Sequence, residues 1–154
     1  MFSFIAINCK WLHLSCTSTE GRVKLSDGSI LKIVATIIDA RESGFSAFGG
    51  INIIIKQSGG TAVVKIPDEL INLAKDKPVY SIGELPKDGW EIVDIVEYTP
   101  ALAETKIETS KGNYLVRLKV EPTMASHNLN YKSELGEPIY LLNLAPLVSW
   151  KPVS

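Results

Sequence analysis

The chain of 154 residues is 45% hydrophobic and 21% charged, with a formal net charge of −1 at neutral pH. This balance excludes an intrinsically disordered chain, and a near-neutral protein has no overall field that attracts the phosphates of nucleic acids. The apolar runs are too short for a membrane-spanning helix, which needs roughly 20 residues. We therefore expect a single domain over residues 1–154, with residues 1–20 as a strand or extension at its periphery.

Residues 1–16 predict a strand, and the first half of the chain after it predicts a meander of four strands and one helix. Runs rich in β-branched residues mark the strands at 22–25, 30–40, 51–57 and 61–66. Asp27-Gly28 predicts a type I′ hairpin turn, and Ser58-Gly59-Gly60 predicts another turn. The glycine pairs 49–50 and 59–60 either turn the chain or allow another backbone to approach closely. Proline and acidic residues at 67–69 predict a helix start, and Pro78 ends that helix.

The second half of the chain predicts strands again. Residues 90–98 favour a strand because their β-branched side chains are stiff at χ1. Residues 103–110 and 114–121 predict a hairpin whose second strand alternates apolar and polar side chains. A short strand is expected at 79–85, a loop at 122–128, and strands at 129–132, 139–144 and the C-terminus. The whole pattern predicts a mostly-β fold, a barrel or sandwich of antiparallel meander and hairpins with one short α-helix. An α+β fold is the alternative.

The most distinctive connection is R-E-S-G-F-S-A-F-G-G, residues 41–50. Phe45 and Phe48 lie among glycines and serines, where a connection is normally polar. In one explanation they fold back and plug the end of the barrel. In the other they project and bind an apolar groove, a partner subunit or a ligand, because loops on rigid strands are frequent recognition sites. Arg41, Glu42, Phe45 and Phe48 are the candidate binding residues.

Cysteine and histidine spacing offers a candidate metal site. Cys9, His13 and Cys16 would share one face of a helix, and His127 could supply a fourth zinc ligand. The surrounding residues favour a strand, however, on which Cys16 points away from the other two. Two buried cysteines and a hydrogen-bonded histidine are the preferred interpretation, so neither a metal nor a cofactor is predicted.

Catalytic signatures are weak. Ser46 does not lie in a complete G-x-S-x-G elbow, and Asp39 and Glu42 flank Arg41 as a surface ion pair would. An acid–base pair at a barrel mouth would require both carboxylates to converge.

Cysteine usage indicates a cytoplasmic protein. Two cysteines are too few for a disulfide scaffold, and no Asn-x-Ser/Thr sequence is present. No basic residue precedes the apolar start of the chain, as a secretory signal peptide would require.

The preferred hypothesis is a non-enzymatic cytoplasmic module for binding or assembly that uses the loop at residues 41–50. It would self-associate through strand edges or through Phe45 and Phe48. One alternative is a small enzyme or metal protein with its site at Asp39 and Glu42 or at Cys9, His13 and Cys16. Another is a β domain that binds nucleic acid weakly through Lys106, Arg117 and Lys119.

Overall fold

The computed structural model describes residues 4–5, 16–80 and 83–153. Within these ranges the chain forms ten strands and one helix, so the predicted mostly-β class is confirmed. The elements in chain order are β1 (Phe4–Ile5), β2 (Cys16–Thr19), β3 (Gly21–Leu25), β4 (Ile30–Glu42), β5 (Ile53–Lys65), α1 (Asp68–Ala74), β6 (Trp90–Val93), β7 (Ile95–Thr99), β8 (Ala101–Thr109), β9 (Gly112–Lys132) and β10 (Pro138–Pro152).

The strands form two antiparallel sheets that pack as a sandwich. The larger sheet has the order β1-β2-β8-β9-β10, and β6 pairs with the second half of β9. The smaller sheet has the order β5-β4-β3-β7. Single residues connect the two sheets at Glu20, Asp94 and Pro100. Strands that switch sheets in this way hold the two layers together at one side.

Two of these connections touch each other at Gly21. A Cβ atom at this position would lie 2.6 Å from both the Ala101 nitrogen and the Thr99 carbonyl oxygen. Glycine is therefore required where β3 crosses the start of β8, because any side chain would collide with backbone.

The hydrophobic core lies between the two sheets. Residues of β4 alternate between buried and partly exposed positions, as expected for a strand with one face on the core. The buried side chains of β4 and β9 that form the centre of the core are Leu31, Ile33, Ala35, Ile37, Tyr114, Val116, Leu118 and Val120. The face of the hairpin predicted to be buried is thus confirmed.

The helix and the strands around residues 90–98 also form where the sequence predicts them. Helix α1 follows Pro67, carries Asp68 and Glu69 in its first turn and packs Ala74 against the sandwich. Asp94 divides the predicted strand into β6 and β7.

The predicted turn at Ser58-Gly59-Gly60 is wrong. Strand β5 runs through both glycines and pairs with β4 along its length. A Cβ at Gly59 would lie 2.1 Å from the Val34 carbonyl oxygen. Gly59 therefore does not turn the chain. It allows the backbones of β5 and β4 to approach each other closely, which is the other role predicted for this glycine pair.

The predicted loop at residues 122–128 is also wrong, because β9 continues to Lys132. Pro122 is tolerated because the register with β10 shifts at this point, which marks a bulge. On the other side of β9, the pairing with β8 ends at Val120 and the pairing with β6 begins at Ala125. Pro122 lies between these two paired stretches, so neither β8 nor β6 needs a backbone N–H donor at this position.

Two further predictions need correction. Gly28 N donates to Leu25 O, so Ser26 and Asp27 are the central residues of the hairpin turn rather than Asp27 and Gly28. Of the short strand predicted at 79–85, Val79 makes one isolated bridge to Lys132 and residues 83–85 are not in a strand, while residues 81–82 lie outside the described ranges. Of the strand predicted within residues 1–16, only Phe4–Ile5 and Cys16 fall in the described ranges.

Candidate functional site

Phe45 and Phe48 project from the loop between β4 and β5. Their exposed fractions are 81% and 76%, so neither ring plugs the end of the sandwich. The explanation in which the two rings fold back and plug the end of the barrel is therefore wrong. Large apolar side chains exposed on one loop are characteristic of interaction surfaces. We call the connection at residues 43–52 the aromatic loop.

Hydrogen bonds fix the backbone of the aromatic loop although its two rings are exposed. Trp150 Nε1 donates to the Phe48 carbonyl oxygen at 3.0 Å, and the Tyr114 hydroxyl donates to the Gly49 carbonyl oxygen at 3.4 Å. Ser46 Oγ donates to the Ile51 carbonyl oxygen at 2.5 Å and accepts from the Phe48 N–H at 3.1 Å. Strands β9 and β10 thus hold the loop from one side, and Ser46 ties it internally.

Gly49 is required at this contact with Tyr114. Its φ of 83° lies in the left-handed region, and a Cβ would lie 2.6 Å from the Tyr114 hydroxyl oxygen. A side chain would therefore be strained and would also displace the hydroxyl that holds the loop.

Arg41 and Glu42 lie at the base of the loop and are both engaged. Arg41 Nε contacts Asp39 Oδ2 at 2.7 Å on the surface. Glu42 accepts hydrogen bonds from the Ser110 N–H at 2.8 Å and from Ser110 Oγ at 2.5 Å. These two bonds lower the pKa of Glu42, and they tie the end of β4 to the turn between β8 and β9.

Asp39 and Glu42 do not form an acid–base pair. They lie three residues apart on β4, where side chains alternate between faces, and each carboxylate has a different partner. Among the described residues, three surface clefts of about 280–360 Å³ are lined by other side chains.

A partly buried polar cluster, which the sequence did not reveal, connects the two sheets. Asp27 in the turn between β3 and β4 accepts from the Tyr140 hydroxyl at 2.6 Å, and His127 Nδ1 lies 2.9 Å from the same oxygen. Ser29 is fully buried, and its hydroxyl lies 2.5 Å from that of Tyr140. We call Asp27, Ser29, His127 and Tyr140 the inter-sheet cluster.

Burial and hydrogen bonding together shift the pKa values of Asp27 and Tyr140 in the inter-sheet cluster. Burial alone would raise the pKa of Asp27, but hydrogen bonds from Tyr140, Ser29 and His127 outweigh it and lower the pKa. Burial, together with the hydrogen bond to Asp27, raises the pKa of Tyr140 far above its ordinary value. The cluster therefore holds an ionised carboxylate against a neutral phenol.

The cluster orients His127 but does not supply a nucleophile to it. Asp27 occupies Nδ1, and Nε2 lies 3.8 Å from Oε1 of the exposed Glu91. Nucleophilic catalysis would need a hydroxyl or thiol at Nε2. The arrangement is a hydrogen-bonded histidine.

The proposed metal ligands are only partly within the described ranges. Cys9 and His13 lie outside them, while Cys16 is buried. Across the described part of the chain, no three His, Cys, Asp or Glu side chains gather as a metal site would require.

Two of the three candidate basic residues of the β8–β9 hairpin, Arg117 and Lys119, form ion pairs with neighbouring acids. Arg117 pairs with Glu104 at 2.8 Å, and Lys119 pairs with Glu121 at 3.0 Å. Tyr114 is buried in the core and offers no stacking surface. Tyr114 is the one aromatic residue within residues 101–121, so this stretch lacks the stacking surface that single-stranded nucleic acids require.

These observations define a mostly-β domain of two antiparallel sheets with a braced aromatic loop at one end. Comparison with protein-family models, with curated proteins and with solved structures finds no match to this chain. In the described ranges, no helix has the length and apolar character needed to cross a membrane.

Proposed function

We propose that the protein is a non-enzymatic module for binding or assembly, and that the aromatic loop is its contact surface. The exposure of both Phe45 and Phe48 supports this proposal most strongly. Together the two rings provide an apolar anchor of the kind that is enriched at the centres of protein interfaces. The partner surface that suits them is an apolar groove on a protein.

The braces of the loop add to this argument. A loop that must be ordered on binding loses conformational entropy, which weakens the complex. Trp150, Tyr114 and Ser46 hold the aromatic loop in one conformation before any partner arrives. The loop is therefore preorganised, and most of the free energy of burying the two rings is available for binding.

The enzyme and metal alternatives receive less support from the same residues. Asp39 and Glu42 are each bound to a separate partner, and His127 Nε2 lies 3.8 Å from a carboxylate oxygen of Glu91.

Replacing both rings tests the proposal. The Phe45→Ser, Phe48→Ser variant is expected to fold with an unchanged urea midpoint, because both side chains lie outside the core. Affinity capture from an extract of the source cells should enrich a partner with the parent protein and lose it with the variant. Leu135→Ser is the matched control, since Leu135 is 84% exposed in a different turn. A partner that the parent and the loop variant capture equally would refute the proposal, as would a variant that unfolds.

A further inference from the structure

Strand β5 is a long edge strand without a proline. It pairs with β4 on one side, and no element in the described ranges pairs with its other side. The other edge strands are short or interrupted: β1, β6 and β7 have two, four and five residues, and β10 contains Pro138, Pro146 and Pro152. Short strands and prolines are devices that prevent edge-to-edge pairing. The thirteen residues of β5 include no proline.

The loop bonds at the start of β5 show which of its backbone groups face outward. Asn52 N donates to the Gly44 carbonyl oxygen, and the Asn52 carbonyl oxygen accepts from Ser43 N. Both groups of Asn52 therefore point towards the β4 side. Because the direction alternates along a strand, the odd-numbered residues from Ile53 to Val63 direct their N–H and C=O groups to the free edge. The side chains alternate over the same stretch, since Ile53, Ile55 and Val63 pack on the core.

The free edge of β5 is complementary to the same edge of a second copy of the chain. In an antiparallel pair with a two-fold axis at Ser58, the outward-facing residues meet each other and form six hydrogen-bonded positions on each strand. Ile53 lies opposite Val63 of the second strand, and Lys56 lies opposite Gly60. The only lysine within residues 53–63 therefore faces a residue without charge, so no like charges oppose each other.

We propose that β5 pairs with β5 of a second copy of this chain, which joins the two four-stranded sheets into one continuous eight-stranded sheet. This inference names the assembly partner within the proposed function, but it rests on the strand edge and not on the aromatic loop. The bond-forming groups are main-chain donors and acceptors that are otherwise left to water. The pairing creates a two-fold dimer, the commonest symmetry of soluble oligomers.

A cysteine at the axis tests the register. In the proposed dimer Ser58 and its symmetry mate form a non-hydrogen-bonded pair with Cα atoms about 4.5 Å apart, a spacing that a disulfide can bridge. The Ser58→Cys variant should convert to a covalent dimer under mild oxidation on a non-reducing gel. Ser149→Cys, on the edge strand β10, is the matched control and should stay monomeric on that gel.

A proline on the free edge tests the pairing itself. Thr61 is exposed, and its N–H faces the free edge, so Thr61→Pro removes a donor needed for the dimer but none needed for the β4 ladder. Thr61→Val keeps the donor and is the matched control. Sedimentation velocity over a range of concentrations should show a dimer for the parent and for Thr61→Val. Thr61→Pro should be a monomer with the circular dichroism spectrum of the parent.

Two results would overturn the inference. One is a parent protein that stays monomeric at the highest soluble concentration. The other is a dimer that persists in the folded Thr61→Pro variant. The Phe45→Ser, Phe48→Ser variant should still dimerise through β5, so a failure of the aromatic-loop proposal can be told apart from a failure of this one.

Discussion

At the scale of single residues, the Tyr140 hydroxyl is the centre of the inter-sheet cluster. It donates to Asp27 and contacts the buried Ser29 hydroxyl, so its removal leaves buried polar groups with fewer partners. Tyr140→Phe is expected to lower the free energy of unfolding by about 1–3 kcal/mol. Urea titration measures this change. Tyr98→Phe removes an exposed hydroxyl that bonds to Glu121 and should leave the midpoint unchanged, and equal effects of the two variants would contradict the role of the cluster.

The lowered pKa of Asp27 predicts a loss of stability in acid. Because the pKa is below its ordinary value of 3.8 in the folded protein, the unfolded chain binds a proton more readily. The ordinary pKa of an aspartate is about 4, and the stabilising contribution of Asp27 is complete above that pH. The contribution is lost as the pH falls through the lower pKa that Asp27 has in the folded protein.

Urea midpoints measured from neutral pH to strong acid test this dependence. The parent should lose stability more steeply than Asp27→Asn below the ordinary aspartate range, because the variant has no carboxylate to protonate. Asp39→Asn removes a surface ion pair with Arg41 and should follow the parent curve. Parallel curves for the parent and Asp27→Asn would show that the cluster has no such role.

At the scale of an element, the two glycines of β5 differ in the space that surrounds them. Gly59 has no room for a side chain, whereas Gly60 has room for one. A Cβ at Gly59 would collide with the Val34 carbonyl oxygen, whereas a Cβ at Gly60 would meet no atom within 4 Å. Gly59→Ala should therefore destabilise the protein by about 1–3 kcal/mol, as overpacking does. Gly60→Ala is the control and should be neutral or slightly stabilising. The melting temperatures of both variants measure this difference. Equal melting temperatures would contradict the requirement for glycine where β5 contacts Val34.

At the scale of the whole molecule, the sequence predicted the features that local patterns encode. The hairpin of β8 and β9 follows from side-chain alternation, and helix α1 follows from the prolines before and after it. The class of fold follows from the number of strand-like runs. These signals arise within a few residues of one another, so a single chain reveals them.

The features that the sequence could not predict depend on distant contacts. Gly59 carries a turn signal, but its role is set by Val34 on the neighbouring strand. Pro122 indicates a break, but a bulge and the interval between β6 and β8 accommodate it. Asp27 and Tyr140 are separated by 113 positions, and no spacing rule connects them. The exposure of Phe45 and Phe48 was one of two open alternatives, because composition alone cannot distinguish a plug from a projecting loop.

The length of β9 has a consequence for how the sandwich comes apart. One continuous strand carries β8 beside its first half, β6 beside its second half and β10 along both. Because both ends of the larger sheet are paired with β9, neither end can separate without disturbing the other. Both ends should therefore open in one cooperative event. Deuterium uptake should then be equally slow in peptides covering residues 114–120 and 124–128. Rapid labelling of one peptide while the other stays protected would reveal two independent folding units in a single strand.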